Sequence, residues 1–258
     1  MKPAKILLLI AAVVFSKPTF AQSPKAIEAD LLKSFKRIGY WDQKRSDAGD
    51  DSLENATDAF GKKLKNYTEN YAFTINEPFT SLKKERLDMF TSTDGLFRIY
   101  SWDTGGGGTM REFANVIQYR TGDKTNAVLL TGTNDIYIPF YSNLYTFKTG
   151  NKTYYLGIYG AIYSSRYAGT GIKIFAIEND KLNQNVKLIK TQSGINSKIF
   201  YDYDFGSIAY VPYGKRPTIT FDATTKTIKI PLVDAKGNMT RKLITYKFTG
   251  KYFEKVKN

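Results

Sequence analysis

Residues 94–119 read DGLFRIYSWDTGGGGTMREFANVIQY. Two runs rich in aromatic and β-branched residues flank four consecutive glycines, Gly105 to Gly108, a pattern that predicts a β-hairpin with a long tip. Upstream of this hairpin the apolar residues recur at helical spacing. Downstream they recur with a period of two.

Upstream, Ser23 can cap a helix from Pro24 to about Ile38, with proline at the first helical position and Ile27, Leu31, Phe35 and Ile38 on one stripe. Gly39 is the expected stop. A second helix is expected to begin near Asp51, with Glu54 placed for a capping box and Leu53, Ala56, Phe60, Leu64, Tyr67 and Tyr71 spaced by threes and fours. The segment from Thr74 to Phe90 is ambiguous: Pro78 breaks any long helix, and Leu82 to Met89 fits either a short helix or a strand.

Downstream, strands are expected at 96–103, 112–120, 126–131, 143–148, 152–163, 171–178, 198–203, 207–211, 217–221, 226–233, 241–248 and 251–256. Short turns such as Thr149-Gly150-Asn151 and Lys236-Gly237-Asn238 separate most of them, so neighbouring strands should run antiparallel. The expected fold is mainly β with an N-terminal helical pair. Its strands form an antiparallel up-and-down meander that can curl as a propeller, close as a barrel or fold as a sandwich. The expected division is a signal peptide at 1–21, a helical segment at 22–90 packed on the β domain, and the β domain itself at 91–258.

The signal-peptide reading rests on Lys2 and Lys5, the apolar run Ile6 to Phe15, and Thr19-Phe20-Ala21. Cleavage after Ala21 would leave a chain starting at Gln22, periplasmic or extracellular. An apolar run of this length spans only about 15 Å as a helix, half of a bilayer core, and no later run is longer, so no transmembrane segment is expected in the mature chain. The chain has no cysteine. Together with export this favours a bacterial setting. The formal charge is +14, and it falls to +11 without Lys2, Lys5 and Lys17. Much of the excess lies after Tyr213, where Lys229 and Lys247 alternate with apolar residues as they would on the solvent face of a sheet.

Within the hairpin, Asp94-Gly95, the run Arg98 to Gly105, and Gly107-Gly108-Thr109-Met110 resemble a segment shared by uncharacterised exported proteins of Gram-negative bacteria. The resemblance is confined to about residues 94–119. It implies an exported bacterial protein and carries no activity or site.

Histidine is absent as well as cysteine. Ser-His-Asp and Cys-His catalysis is thereby excluded, as are zinc sites built on imidazole or thiolate. The glycine run lacks the Gly-Lys-Ser/Thr ending of a phosphate loop, because Thr109-Met110-Arg111 follows it, and it reads as a flexible hairpin tip. Asp103 and Glu112 flank that loop and are candidate catalytic carboxylates for polysaccharide hydrolysis. Asp202 and Asp204 match half of a calcium loop but lack the remaining ligands, so no metal and no cofactor is expected. Between Thr153 and Ser164, alternation puts Tyr155, Tyr159 and Tyr163 on one face with small residues between them. Such a row can stack a sugar ring, or it can be a second core layer. With Trp102 it forms the candidate ligand-binding set.

The expectation is an exported, non-catalytic binding or accessory protein. Its partner would be a glycan or an anionic envelope component, with no specific nucleic acid recognition because no such module is present. A carboxylate-dependent hydrolase and a structural or protein-interaction domain are the alternatives.

Overall fold

The computed structural model describes residues 22–45, 50–132 and 137–256, apart from the side chains of Asp50 and Tyr213. The expected signal peptide lies outside the described residues. Helix α1 spans Pro24–Gln43 and α2 spans Asp50–Asn70. Ser23 caps α1, its Oγ accepting from the Ala26 N–H at 3.2 Å. The helix does not stop at Gly39. That glycine faces open space with ordinary helical backbone, so it costs only about 1 kcal/mol relative to alanine and the helix runs on to Gln43. The helices are joined by Asp30, which accepts from Lys63 Nζ at 2.8 Å and from the Tyr67 hydroxyl at 2.7 Å. Those two bonds hold the Asp30 carboxyl below its usual range. Burial, with Asp30 alongside, pushes the Tyr67 phenol up to about 12.

The ambiguous segment after α2 resolves into a 3-10 turn, Ala72–Ile75, the short helix α3, Thr80–Lys84, and strand β1, Asp88–Thr91. Strand β1 pairs with the predicted hairpin, β2 (Phe97–Asp103) and β3 (Phe113–Thr121), and β4 (Lys124–Leu130) completes sheet I in the order β1-β2-β3-β4. The hairpin register sets Phe97 opposite Tyr119 and Asp103 opposite Phe113.

Sheet II contains β5 (Phe140–Thr149), β6 (Lys152–Ile162), β7 (Tyr167–Glu178) and β11 (Lys198–Asp204) in the order β11-β7-β6-β5, with β8 (Lys181–Asn183) paired to the end of β7. Sheet III combines β9 (Ile189–Thr191), β10 (Gly194–Asn196), β12 (Thr220–Asp222), β13 (Thr227–Val233), β14 (Met239–Phe248) and β15 (Phe253–Lys255) in the order β10-β9-β15-β14-β13-β12. Pairing is antiparallel except between β15 and β9, which run parallel. That exception is possible because the whole of β10 to β14 intervenes and supplies the long crossover.

The meander is thus divided among three sheets that stack, with the helices as an outer layer. One face of sheet I, with Tyr100, Trp102, Val116 and Ala127, packs under α1 and α2. Its other face, with Phe97, Ile99, Ile117 and Tyr119, packs on Tyr155, Tyr159 and Phe175 of sheet II. The far face of sheet II, with Leu156, Ile158, Ile172 and Ile174, packs on Phe221, Ile228, Ile230 and Phe253 of sheet III. Sheets I and II are therefore buried on both faces. Sheet III turns its other face to solvent, where Lys229 and Lys247 are exposed as the alternation predicts.

The predicted strand at 207–211 does not form. A 3-10 turn, Phe205–Ser207, takes its place, with Asp204 Oδ1 accepting from the Gly206 N–H at 2.8 Å. The Arg216 guanidinium then donates to the carbonyls of Ala209 and Val211, which occupies acceptors that a strand partner would need. Tyr210 is left 98% exposed.

A polar network ties the helical layer to sheet I. Arg98 is buried, and its Nη1 donates to the carbonyls of Thr74 (2.9 Å), Ile75 (3.1 Å) and Glu77 (2.6 Å). Tyr100 donates to the Thr74 carbonyl at 2.9 Å, and Gln118 Nε2 donates to the Thr68 carbonyl at 2.7 Å. These acceptors belong to the end of α2 and the turn after it, where carbonyls have no intrahelical partner. Replacing Arg98 with Gln should destabilise the fold by about 3 kcal/mol or more, because several buried carbonyls lose a charged donor at once. A urea midpoint equal to that of the parent would contradict this role.

Candidate functional site

The tyrosine face of β6 exists as the alternation predicts, but most of it is interior. Tyr155 is 1% exposed, Tyr159 6% and Trp102 2%. The cover comes from sheet I on one side and from the row's own sheet on the other, not from the helices. Tyr155 stacks on Phe97 with ring centroids 4.5 Å apart and planes at 11°. Tyr159 stacks on Phe200 at 5.4 Å and 11°.

The small residues between the tyrosines do receive flat rings, and the chain supplies them. Tyr141 lies across Gly157, where an added Cβ would come within 2.9 Å of its ring. Phe200 lies across Gly169 and Gly171, at 2.2 Å and 2.9 Å from the corresponding Cβ positions. Glycine in a strand permits this close approach, and these positions accept nothing larger. Trp102 faces the other way and meets Phe60 of α2 edge-on at 5.1 Å and 88°. Tyr155, Tyr159 and Trp102 are therefore core residues rather than a surface platform.

Tyr163 is the exception. It lies beyond the end of β6, half-buried, and is a cross-strand neighbour of Tyr167, with the Tyr163 N–H donating to the Tyr167 carbonyl at 3.0 Å. Tyr167 is 52% exposed. The Arg166 guanidinium sits 5.5 Å from the Tyr167 ring centroid and also pairs with Asp204 at 2.9 Å. That pairing holds the Asp204 carboxyl below its usual range, with the amide of Gly206 contributing. Burial pushes the Tyr163 phenol up to about 12, and a hydrogen bond with Asp202 adds to the shift. The two aspartates of the half calcium loop are thus engaged by Arg166 and Tyr163. Among the described residues no three His, Cys, Asp or Glu side chains are grouped to hold a metal ion.

Asp103 and Glu112 do flank the glycine loop. Asp103 Oδ2 accepts from Arg111 Nε at 2.9 Å and Nη2 at 2.6 Å, and its Oδ1 accepts from the Gly105 N–H at 2.8 Å. Glu112 is exposed and lies over Gly106. Both carboxylates lie close enough to Tyr137 to add to the upward shift that burial imposes on its phenol. Tyr137 in turn bridges layers, donating to the Arg111 carbonyl at 3.0 Å and accepting from the Ile162 N–H at 3.1 Å. This end of the molecule is built as a seam, in which Asp103 orders the loop and Tyr137 joins it to sheet II.

The loop itself is not a free tip. Arg45 donates to the Gly105 carbonyl, and Thr57 donates to the Thr104 carbonyl at 3.3 Å. Gly107 has φ +77° and an added Cβ would strike the Met110 carbonyl, so the turn requires glycine there.

Sequence reasoning missed a cavity of about 280 Å3 between the helices. Ser34, Arg37 and Trp41 line it from α1, and Ser52, Asn55, Ala56 and Ala59 line it from α2. The signal was present as two stripes at spacings of three and four, one step around from the apolar ones. No family profile matches the chain, and no curated protein matches it either.

The burial of the tyrosines has a consequence at high pH. Tyr155 and Tyr159 are shifted up by burial, as is Tyr141, and Tyr100 is pushed up to about 12. A phenol whose pKa is raised by folding contributes stability below the ordinary value near 10, and that contribution is lost as the pH climbs through the folded value. Absorbance at 295 nm should therefore rise in two stages, the second coinciding with loss of near-ultraviolet circular dichroism. One step near pH 10 for all tyrosines, with the fold intact, would contradict the buried row.

Proposed function

We propose that this chain is an exported, non-catalytic binding protein of the bacterial envelope, and that its ligand is a glycan held where the tyrosine face reaches the surface. The signal-like run of residues 1–21 and the resemblance at 94–119 support export from a Gram-negative cell. The observation that carries the binding reading is the pairing of Tyr163 and Tyr167 beside Arg166 and Asp202 at the turn edge of sheet II. An exposed ring next to charged donors and acceptors is what sugar recognition uses, because the ring covers the apolar face of the sugar while its hydroxyls find partners.

The hydrolase reading is less well served. Asp103 has both oxygens committed to Arg111 and the Gly105 amide, which suits a loop brace better than a reacting carboxyl. The exposed lysines of sheet III could attract an anionic component, but Glu254 breaks their field by pairing with Lys190 at 3.1 Å.

Screening the chain from Gln22 to Asn258 against neutral and acidic glycans at low and high salt tests this reading. Binding that survives salt is expected, and Tyr167→Ala should weaken it about tenfold, the loss of roughly 1.4 kcal/mol of ring stacking. Unchanged affinity in that variant would remove the site assignment. Binding that appears only at low salt would move the contact to the lysines of sheet III.

A further inference from the structure

The cleft between α1 and α2 shares no residue with the turn edge of sheet II. Its two walls follow from helix geometry: residues three, four and seven apart share a face, so Ser34, Arg37 and Trp41 form one wall and Ser52, Asn55 and Ala59 the other. At about 280 Å3 the cleft lies just below the range of drug-sized pockets, which sets the occupant at one ring with its substituents.

The chemistry of the walls narrows the occupant further. Trp41 is half-buried and offers an indole face, while Ala56 and Ala59 keep the opposite side shallow. Arg37 makes no ion pair among the described residues, although lysines of the same helical layer do: Lys36 pairs with Glu85 at 3.1 Å and Lys63 with Asp30 at 2.8 Å. Among the described residues no carboxylate lines the cleft to neutralise Arg37. Ser34 is only 8% exposed and its hydroxyl has no hydrogen-bond partner among the described residues. The Ser34 hydroxyl lies on the cleft wall, where an occupant can bond it. Asn55 supplies both a donor and an acceptor.

We propose that this cleft binds a sugar carrying a carboxylate, of the uronic acid type. The guanidinium of Arg37 takes the carboxylate through paired N–H bonds, the ring lies against Trp41, and the sugar hydroxyls bond Ser34, Ser52 and Asn55. A neutral sugar would leave Arg37 without its counter-charge. A sugar phosphate carries more charge than one guanidinium answers, so it is the weaker ligand.

Trp41 is also the reporter. The chain has two tryptophans, and Trp102 is buried beneath the helices, so a ligand in the cleft changes emission through Trp41. Titrating the chain with glucuronate should give a saturable change that is absent in Trp41→Phe. Glucose and glucose 6-phosphate should bind at least tenfold more weakly. Arg37→Gln should weaken glucuronate at least tenfold and bring it level with glucose. Ala59→Phe, an exposed position whose larger side chain fills the cleft without touching the core, should abolish the response with circular dichroism unchanged. Equal affinity for glucose and glucuronate, tighter binding of the phosphate, an unaffected Arg37→Gln variant, or no saturable response would each overturn the proposal. Tyr167→Ala should leave this signal intact, so the outcome here is independent of the fate of the turn-edge site.

Discussion

The constraint on which the structure depends is that sheet I is dry on both sides. Every residue from Phe97 to Trp102 is buried, and so is every residue from Ala114 to Tyr119. A helical layer laid on such a sheet brings with it the carbonyls of its own C-terminal turn, and Thr68, Thr74 and Ile75 are buried there. Arg98, Tyr100 and Gln118, three polar residues on the helix-facing side of the sheet, answer those carbonyls at Thr68, Thr74, Ile75 and Glu77. The guanidinium is itself covered by Phe79 and Tyr100, at 5.8 Å and 4.8 Å from their ring centroids. Phe79 holds a left-handed backbone with φ 41°, a conformation that costs about 1 kcal/mol or more in a bulky residue. The burial of its ring beneath Arg98 offsets that cost.

The same dryness governs where a ligand can go. With three sheets stacked face to face, aromatic rings must lie flat between layers, and glycines at 157, 169 and 171 clear the space for them. A surface of tyrosines and small residues thereby becomes an internal interface, closed by Phe97, Tyr141 and Phe200. Both proposed binding places lie at the margins, one at the turn edge where Tyr163 and Tyr167 emerge and the other at the outer seam between α1 and α2. Neither margin contains the glycine loop, which is pinned by Arg45, Thr57 and Asp103.

Much of the fold was legible in the sequence because its signals are local. The stripe Ile27, Leu31, Phe35, Ile38 announces α1, the glycine-tipped hairpin announces β2 and β3, and the alternation in 153–164 assigns each side chain of β6 to its face. What was not legible depends on partners far away in the chain. Alternation says that Tyr155 and Leu156 face opposite ways, but a strand buried on both faces reads the same whether its second cover is a ligand, a helix or another sheet. The strand expected at 207–211 has suitable residues, yet the Arg216 side chain takes the carbonyls a neighbour would have used. Gly39 looked like a stop because a glycine can end a helix, but nothing in its surroundings required a left-handed turn. The cleft residues were hidden for another reason: a stripe of serine, asparagine and alanine reads as an ordinary solvated face until a second helix stands beside it.

The tyrosine face lies sealed between sheets I and II. Because the chain has no cysteine, a single introduced thiol reports its own surroundings. Ala161 lies on the tyrosine face at 2% exposure, and Lys229 lies on the open face of sheet III. The most direct measurement is the rate at which a thiol reagent labels Ala161→Cys and Lys229→Cys in the folded protein. Prompt labelling is expected at 229, and labelling at 161 only as fast as the protein opens, rising to the free rate in denaturant. Equal, prompt labelling at both positions in the native protein would contradict it.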